Sequence, residues 1–304
     1  MPEVKKIIIN ENISGQRLDN FLLNQLKGVP KSKVYSIIRK GEIRINSKRK
    51  KPFYKLVIGD EVRVPPIKTS SKENQFVPTN IIALLRDSIV EENDDYIALN
   101  KPEGIASHGG SGISIGVIET IRNFGKSYRD AKLVHRLDKD TSGCQVIAKN
   151  NKFLRHCNKL ISERKVKKTY QAIVHGNWIH KDGIYEINIE KNMLIGKERM
   201  VRILEGGKIA KTFFKVIESS KHFSLIQCEL ITGRTHQLRV HLSELGFPIV
   251  GDKKYGIKEN NFPKVSVHKK RLYLHANSFI SKDLNIHIKV KTPKEFKKIL
   301  KNDE

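Results

Sequence analysis

Cysteine is scarce in this chain, and what there is does not pair. Cys144, Cys157 and Cys228 are an odd number at wide spacings, and no CxxC occurs. Zinc-ribbon and dithiol redox designs are thereby excluded, and three reduced thiols in a cytosolic protein are expected. Long apolar runs are also missing. None approaches the roughly 18–20 residues needed to span a bilayer. The apolar stretch in "MPEVKKIIINENISG" is too short for a signal peptide. A cytoplasmic chain with no membrane partner is therefore expected. Acidic residues are in deficit, with 32 Asp+Glu against 58 Lys+Arg, a formal net charge of +26. Histidine does not supply a metal site in their place. His236 and His241 sit five apart on an expected helix, which is not the i, i+4 spacing of a zinc helix. No metal is expected.

What is present is a large positive charge on an otherwise ordinary composition. Hydrophobic residues make up 38% and charged residues 30%, which suits a folded soluble protein. A folded chain this basic usually meets a polyanion, and nucleic acid is the first candidate. Its 304 residues suffice for two domains.

Residues 1–66 read as a small module. Ser14 is placed to cap a helix whose apolar residues Leu18, Phe21, Leu22 and Leu26 share one face. Ser32 is placed to cap a second helix carrying Val34, Ile37 and Ile38, with Gly41 at its C-terminal end. "EIRIN" and "DEVRVP" follow as a hairpin. The module holds 15 Lys+Arg against 6 Asp+Glu, a net +9. Arg17, Lys31, Lys33, Arg39, Lys40 and Arg44 are its candidate nucleic-acid contacts. A solvated lysine-rich surface is the plain alternative.

"PPIKTSSKENQFVP" is polar and proline-flanked, and 67–87 is read as a linker. From 88 to 304 strands and helices alternate without a strict βαβ rhythm. Expected strands are "DYIALN", "KLVHRL", "CQVIAK", "KTYQAIVHG", "IYEINIE", "KTFFKVIES", "FSLIQCELIT", "LYLHANSFI" and "NIHIKVK". Helices are expected after Ser114, Asn151, Thr232 and Pro293. The fold class is α+β, with a central mixed, largely antiparallel sheet and flanking helices.

The glycine-rich "HGGSGISIG" matches neither a phosphate loop nor a dinucleotide fingerprint. "LVHRLDKDTSGC" is more informative. Asp138 lies between Arg136 and Lys139, and Asp140 is followed by Thr-Ser-Gly, as suits a turn. A catalytic carboxylate, a salt-bridge partner and a metal ligand are all open for Asp138. Arg234 and Arg239, in "TGRTHQLRVHL", could serve it, because an arginine beside a carboxylate favours its ionised form.

"HRLDKDTSG" resembles the HRLDxxTSG signature of the RluA-type pseudouridine synthases. "NKPEGIASHGGSG", "KKTYQAIVHG" and "ITGRTHQLRVHLSELGFPIVGDKKYG" resemble three further blocks of that family, in the expected order. Residues 14–62 resemble the S4 RNA-binding domain. "LKGVPKSKVYSIIRKGEIRIN" and the "HGGSG" loop are most similar to the RluC-type branch that acts on large-subunit ribosomal RNA. The resemblance implies an S4-like domain over 1–66, the linker, and a catalytic domain over 88–304. It implies isomerisation of uridine to pseudouridine in 23S ribosomal RNA, without a cofactor. Asp138 becomes the catalytic carboxylate, Tyr170 the active-site aromatic, Arg239 the base paired with Asp138, and Arg136 an RNA contact. A cytoplasmic monomer whose partner is ribosomal RNA is expected. Three rivals stay open: a non-catalytic RNA-binding or ribosome-assembly protein, an enzyme for transfer RNA, and a glycosidase that releases free base.

Overall fold

Gly15 decides where the first helix begins. It takes φ +79°, so the chain turns between Ser14 and the helix. Helix α1, Leu18–Gln25, therefore starts with Arg17 at its N-cap position and no side-chain cap. Ser14, expected as the cap, lies in the preceding turn, where its N–H donates to Asn10 O. This comes from a computed structural model that describes residues 4–26, 28–67, 77–109, 115–195, 198–203, 206–257 and 271–301. The chain divides into two compact units, Met1–Phe76 and Val77–Glu304.

In the first unit, strand β1 (Lys5–Ile8) precedes α1. Helix α2, Lys31–Lys40, follows with Pro30 at its N-cap position, so Ser32 is already helical. Gly41 ends it in the left-handed region, φ 71°. Strands β2 (Arg44–Ile45) and β3 (Glu61–Val64) complete an antiparallel sheet of order β1-β3-β2. Leu18, Phe21, Leu22, Val34, Ile37 and Ile38 from the helices meet Ile45, Val62 and Val64 from the strands in one core.

The second unit begins with α3, Thr79–Asp87. This corrects the sequence reading, which placed a linker there. Leu85 is fully buried, because the apolar side of α3 packs with Ile97, Leu99, Val117 and Ile121. The following elements are β4 (Ile89–Glu92), β5 (Tyr96–Lys101), α4 (Val117–Arg122), β6 (Lys132–Leu133), β7 (Ser142–Ala148) and α5 (Asn151–Ser162). Next come β8 (Lys167–His175), β9 (Gly183–Ile195), β10 (Glu198–Ile203), β11 (Lys208–Ser219) and β12 (Phe223–Leu230). The chain closes with α6 (Gln237–Glu244), β13 (Leu274–Ser281), β14 (Ile286–Lys289) and α7 (Lys294–Lys301).

Among the described residues these strands make one 11-stranded sheet. Its path is β10-β9-β11-β12-β8-β13-β7-β5-β4, with β14 on β13 and β6 on β7. Every pairing is antiparallel except β7 with β13, where Ser142 faces His275 and Gly143 faces Ala276. The sheet is thus mixed and largely antiparallel, as expected. Its middle is covered on both faces. Ile97, Leu99 and Ile147 turn to α3 and α4, while Ala98, Val146 and Ala148 turn to a second core that includes α5. Asn150 caps α5 by accepting from Phe153 N at 2.9 Å, and Phe153, Cys157 and Leu160 are its buried stripe. All three cysteines are buried and unpaired. Among the described residues no helix is long and apolar enough to cross a membrane.

Candidate active site

The segment "KLVHRLD" pairs as a strand for only two residues, Lys132 and Leu133, before it leaves the sheet. Two side chains draw it away. His135 Nε2 accepts from Val146 N at 3.1 Å, which occupies a ladder donor of β7. Buried Ser107 donates to Leu137 O at 2.6 Å and accepts from Leu137 N at 2.9 Å. Gln145 Nε2 adds a 2.9 Å bond to the same hydroxyl. Both backbone groups of Leu137 are therefore satisfied by the Ser107 hydroxyl, and Asp138 emerges at the end of a fixed extended arm. A turn follows at once, with Asp138 O accepting from Thr141 N at 3.2 Å. Asp140 sits in that turn, as expected. Gly143 has φ +110°, and a Cβ there would lie 2.2 Å from Ala276 O. Only glycine lets β13 approach β7 directly behind the turn.

Lys101 pins the turn from below. Its side chain is fully buried, and Nζ donates to Pro102 O and Ile105 O at 2.8 Å and to Lys139 O at 3.2 Å. Burial pushes its pKa down to about 7, against the pull of Asp140, Asp138 and Glu103. The sign follows from proton counting. Between about pH 7 and pH 10.5 the unfolded chain binds more protons at this site, so stability rises with pH across that window. Lys101→Met should abolish this rise in urea denaturation at pH 7 and pH 9.5. It should also cost about 1–3 kcal/mol, because buried carbonyls lose their donor. An unchanged pH dependence would remove Lys101 as its source.

Asp138 is one-third exposed, with 35% of its side chain accessible. Arg239 Nη1 lies 3.6 Å from Asp138 Oδ2, a charge contact longer than a hydrogen bond. The tighter partner of Arg239 is Asp252, in a bidentate fork of 2.7 Å from Nε and 2.6 Å from Nη2. Asp252 Oδ1 also accepts from Lys254 N and Tyr255 N, at 2.9 and 3.1 Å. Burial alone would raise the Asp252 pKa, but the hydrogen bonds and charge of Arg239 prevail and lower it. For Arg239, burial opposes the charge and Asp252 restores it, with a net rise.

Tyr170 lies mid-strand on β8, opposite Cys228 on one side and Ala276 on the other. Burial, then the nearby Cys144 and Asp138, push its phenol pKa up, so the group is protonated at neutral pH. Asp138, Tyr170, Arg239 and Arg136 all line one cleft of about 1070 Å³. Arg136 is exposed at its edge. The structure thus brings together Asp138, Tyr170 and Arg239, expected as catalytic, and Arg136, expected as an RNA contact.

A model of the RNA pseudouridylate synthase family matches residues 95–244, which include Asp138, Tyr170 and Arg239. An S4 domain model matches residues 16–62. Ribosomal large subunit pseudouridine synthase C of Escherichia coli (strain K12) is 45% identical over 279 residues, covering 90% of this chain and 88% of the relative. The protein of that name from Haemophilus influenzae is 45% identical over 277 residues, covering 90% and 86%. The chain belongs to the RNA pseudouridylate synthase family. A solved structure, human RNA pseudouridylate synthase domain containing 4, superposes on it with a TM-score of 0.61 at 27% identity, covering 73% of this chain and 95% of the other. The family resemblance read from the motifs is borne out.

Within this family member, four site residues escaped the sequence reading. His236 was weighed only as a metal ligand on a helix. It precedes α6 in the left-handed region, φ 51°, with Nε2 at 3.8 Å from Asp138 Oδ2 and Nδ1 at 2.8 Å from Tyr255 Oη. Burial lowers its pKa, opposed by Asp138 and aided by Arg239 and Lys254. Helix α6 starts at Gln237, later than expected after Thr232. Gln237 Oε1 accepts from Thr232 Oγ1 and Arg234 N, both at 2.9 Å, which holds 232–236 as a loop. His241, by contrast, is a core residue, 3.2 Å from Thr212 Oγ1 and packed on Phe214. Asp252, Tyr255 and Lys101 were the other omissions. The signal for Asp252 and Tyr255 was the "GDKKYG" in the last block.

In the first unit, Lys31, Lys33, Arg39 and Lys40 are exposed on α2, and Arg44 is half-buried on β2. Arg17 differs from these. Its guanidinium is forked on Asp19 at 3.1 and 2.6 Å, and Tyr35 Oη donates to the same carboxylate at 2.9 Å. The tip of the "HGGSG" loop, at 110–112, lies outside the described residues.

Proposed function

We propose that this chain converts uridine to pseudouridine in large-subunit ribosomal RNA, with Asp138 as the catalytic carboxylate. The observation that carries the reading is the convergence of Asp138, Tyr170 and Arg239 on one cleft within the family-matched segment. The names of the relatives support the ribosomal substrate, since proteins 45% identical to this chain are called large-subunit enzymes. Ribosomal RNA is a cytoplasmic substrate, which supports that location.

The reaction moves atoms without oxidation. The N1–C1′ bond breaks, and its electron pair leaves with the uracil. The uracil turns, C5 bonds to C1′, and the C5 proton is released as N1 regains one. Asp138 supplies a negative charge where the sugar becomes electron-poor. Arg239 keeps its positive charge beside the carboxylate, and Asp252 fixes Arg239. Tyr170 offers its ring face to the uracil and a protonated hydroxyl beside it. Extruding the uridine from folded RNA costs a few kcal/mol. Phosphate contacts from Lys31, Lys33, Arg39, Lys40 and Arg44 offset that cost in this reading, with a smaller share from Arg17, which Asp19 already holds.

The test uses large-subunit ribosomal RNA from cells lacking the gene, incubated with purified protein and mapped by carbodiimide and primer extension. Stops at discrete uridines are expected. Free uracil in solution would instead mark a glycosidase. Modification of transfer RNA but not ribosomal RNA would reassign the substrate.

A further inference from the structure

Among the described residues, Lys168 is a cation without an ion-pair partner. It lies on β8 two residues before Tyr170, so both side chains leave the same face of the strand. Both line the cleft that holds Asp138. Its neighbour Lys167 is paired, with Glu229 Oε2 at 2.6 Å. Lys168 makes no ion pair among the described residues, and burial alone pushes its pKa down. The carboxylates of the cleft are engaged elsewhere, Glu229 with Lys167 and Asp138 beside Arg239 and His236. Phe279 sits opposite it across β13 and stacks on His135, 5.2 Å between ring centres. Burial, then the charge of Lys168, hold His135 neutral with a pKa pushed down to about 3. The ammonium reaches toward the 232–234 loop, where a Cβ on Gly233 would lie 3.8 Å from Nζ. Arg136, Arg164 and Arg234 line the same cleft.

A half-buried charge without a partner is unfavourable in the free protein. It is understandable if the partner arrives with the substrate. We propose that Lys168 binds a phosphate of the target nucleotide, one of the two flanking the uridine held against Tyr170. This rests on the function proposed above. Two residues along a strand span about 7 Å, which is the scale separating a base from the phosphate of its own nucleotide. A phosphate in that place would supply the missing counter-charge.

The experiment measures RNA affinity in an Asp138→Asn background, so that bound RNA stays unreacted. The probe is a ribosomal RNA fragment carrying the mapped uridine. Lys168→Met should raise Kd roughly ten-fold, as expected for one charge-assisted contact. The slope of log affinity against log salt should flatten by about 0.7–1. Lys168→Arg should restore both, and Lys282→Met, on the exposed β13–β14 turn, should change neither. A methylphosphonate placed 5′ or 3′ of the uridine identifies the phosphate. The neutral linkage should weaken binding by the Lys168 protein and leave binding by Lys168→Met unchanged. Thermal melting guards against misfolding, and Lys168→Met should melt no lower than its parent. If it melts lower, the Lys168→Arg slope and the methylphosphonate pair on folded Lys168 protein decide.

Unchanged Kd and slope would overturn the proposal. So would lost kcat with unchanged Kd in the Asp138 protein, which would put the ammonium on the uracil instead. Pseudouridine yield from the wild-type chain on the same RNA reports separately on the underlying function. Failure there leaves the Lys168 binding result readable.

Discussion

Asp138→Asn should abolish pseudouridine formation while leaving the fold and RNA affinity nearly intact. The geometry separates the two effects. Asp138 touches its neighbours loosely, Arg239 at 3.6 Å and His236 at 3.8 Å, and is 35% exposed. Contacts this long, made by a carboxylate that solvent still reaches, contribute little to stability, about 0–1 kcal/mol. Asparagine preserves the shape and the 138–141 turn, which uses the backbone carbonyl. What it removes is the negative charge at the reacting sugar. A positioned acid–base group alone contributes about 10²–10⁴-fold in rate, so single-turnover conversion should fall by at least that factor. Thermal melting and filter binding should stay within error of wild type. A variant that still converts its uridine within ten-fold of the parent rate would remove Asp138 from the chemistry.

What could be read from the sequence was local. Helix α5 was expected after Asn151 and forms there, because its Asn150 cap and its Phe153, Cys157, Leu160 stripe are properties of consecutive residues. Strands β7, β8 and β12 were legible as β-branched and aromatic runs. Asp138 and Tyr170 stood out through motif order. What escaped depended on partners far along the chain. The "KLVHRL" strand ends after Leu133 because Ser107 and His135 satisfy backbone groups that a neighbouring strand would otherwise have taken. Helix α3 was hidden behind a polar lead, and its burial comes from β5 and α4. His236 looked like a helix residue until its left-handed backbone turned it toward Asp138. Arg17 counted as positive charge in composition, yet Asp19 holds it. The hidden centre of the site is the Arg239–Asp252 fork, whose partners lie 13 positions apart in the chain.

That fork carries the second large expected effect. Arg239→Met should destabilise the protein by about 3–5 kcal/mol, the range for breaking one side of a buried pair. Asp252 has a fully buried side chain and would keep only the N–H groups of Lys254 and Tyr255. The pH dependence should also reverse. In the wild type, Arg239 overcomes burial and holds the Asp252 pKa below 3.8. The folded state then binds fewer protons there than the unfolded chain. Its contribution is complete above the ordinary carboxylate range and is lost as pH falls through the lowered value. Without Arg239, burial dominates and raises the Asp252 pKa. The folded variant then binds more protons there, so it should lose stability as pH rises from 4 toward 7. Asp252→Asn added to Arg239→Met should recover stability, because an amide oxygen still accepts from Lys254 N and Tyr255 N without a buried charge. It should not recover activity, since Asp138 would still lack the Nη1 contact. Urea denaturation at pH 4, 5.5 and 7, run beside single-turnover assays, checks both halves. Recovery of rate along with stability would show that Arg239 serves only the fold.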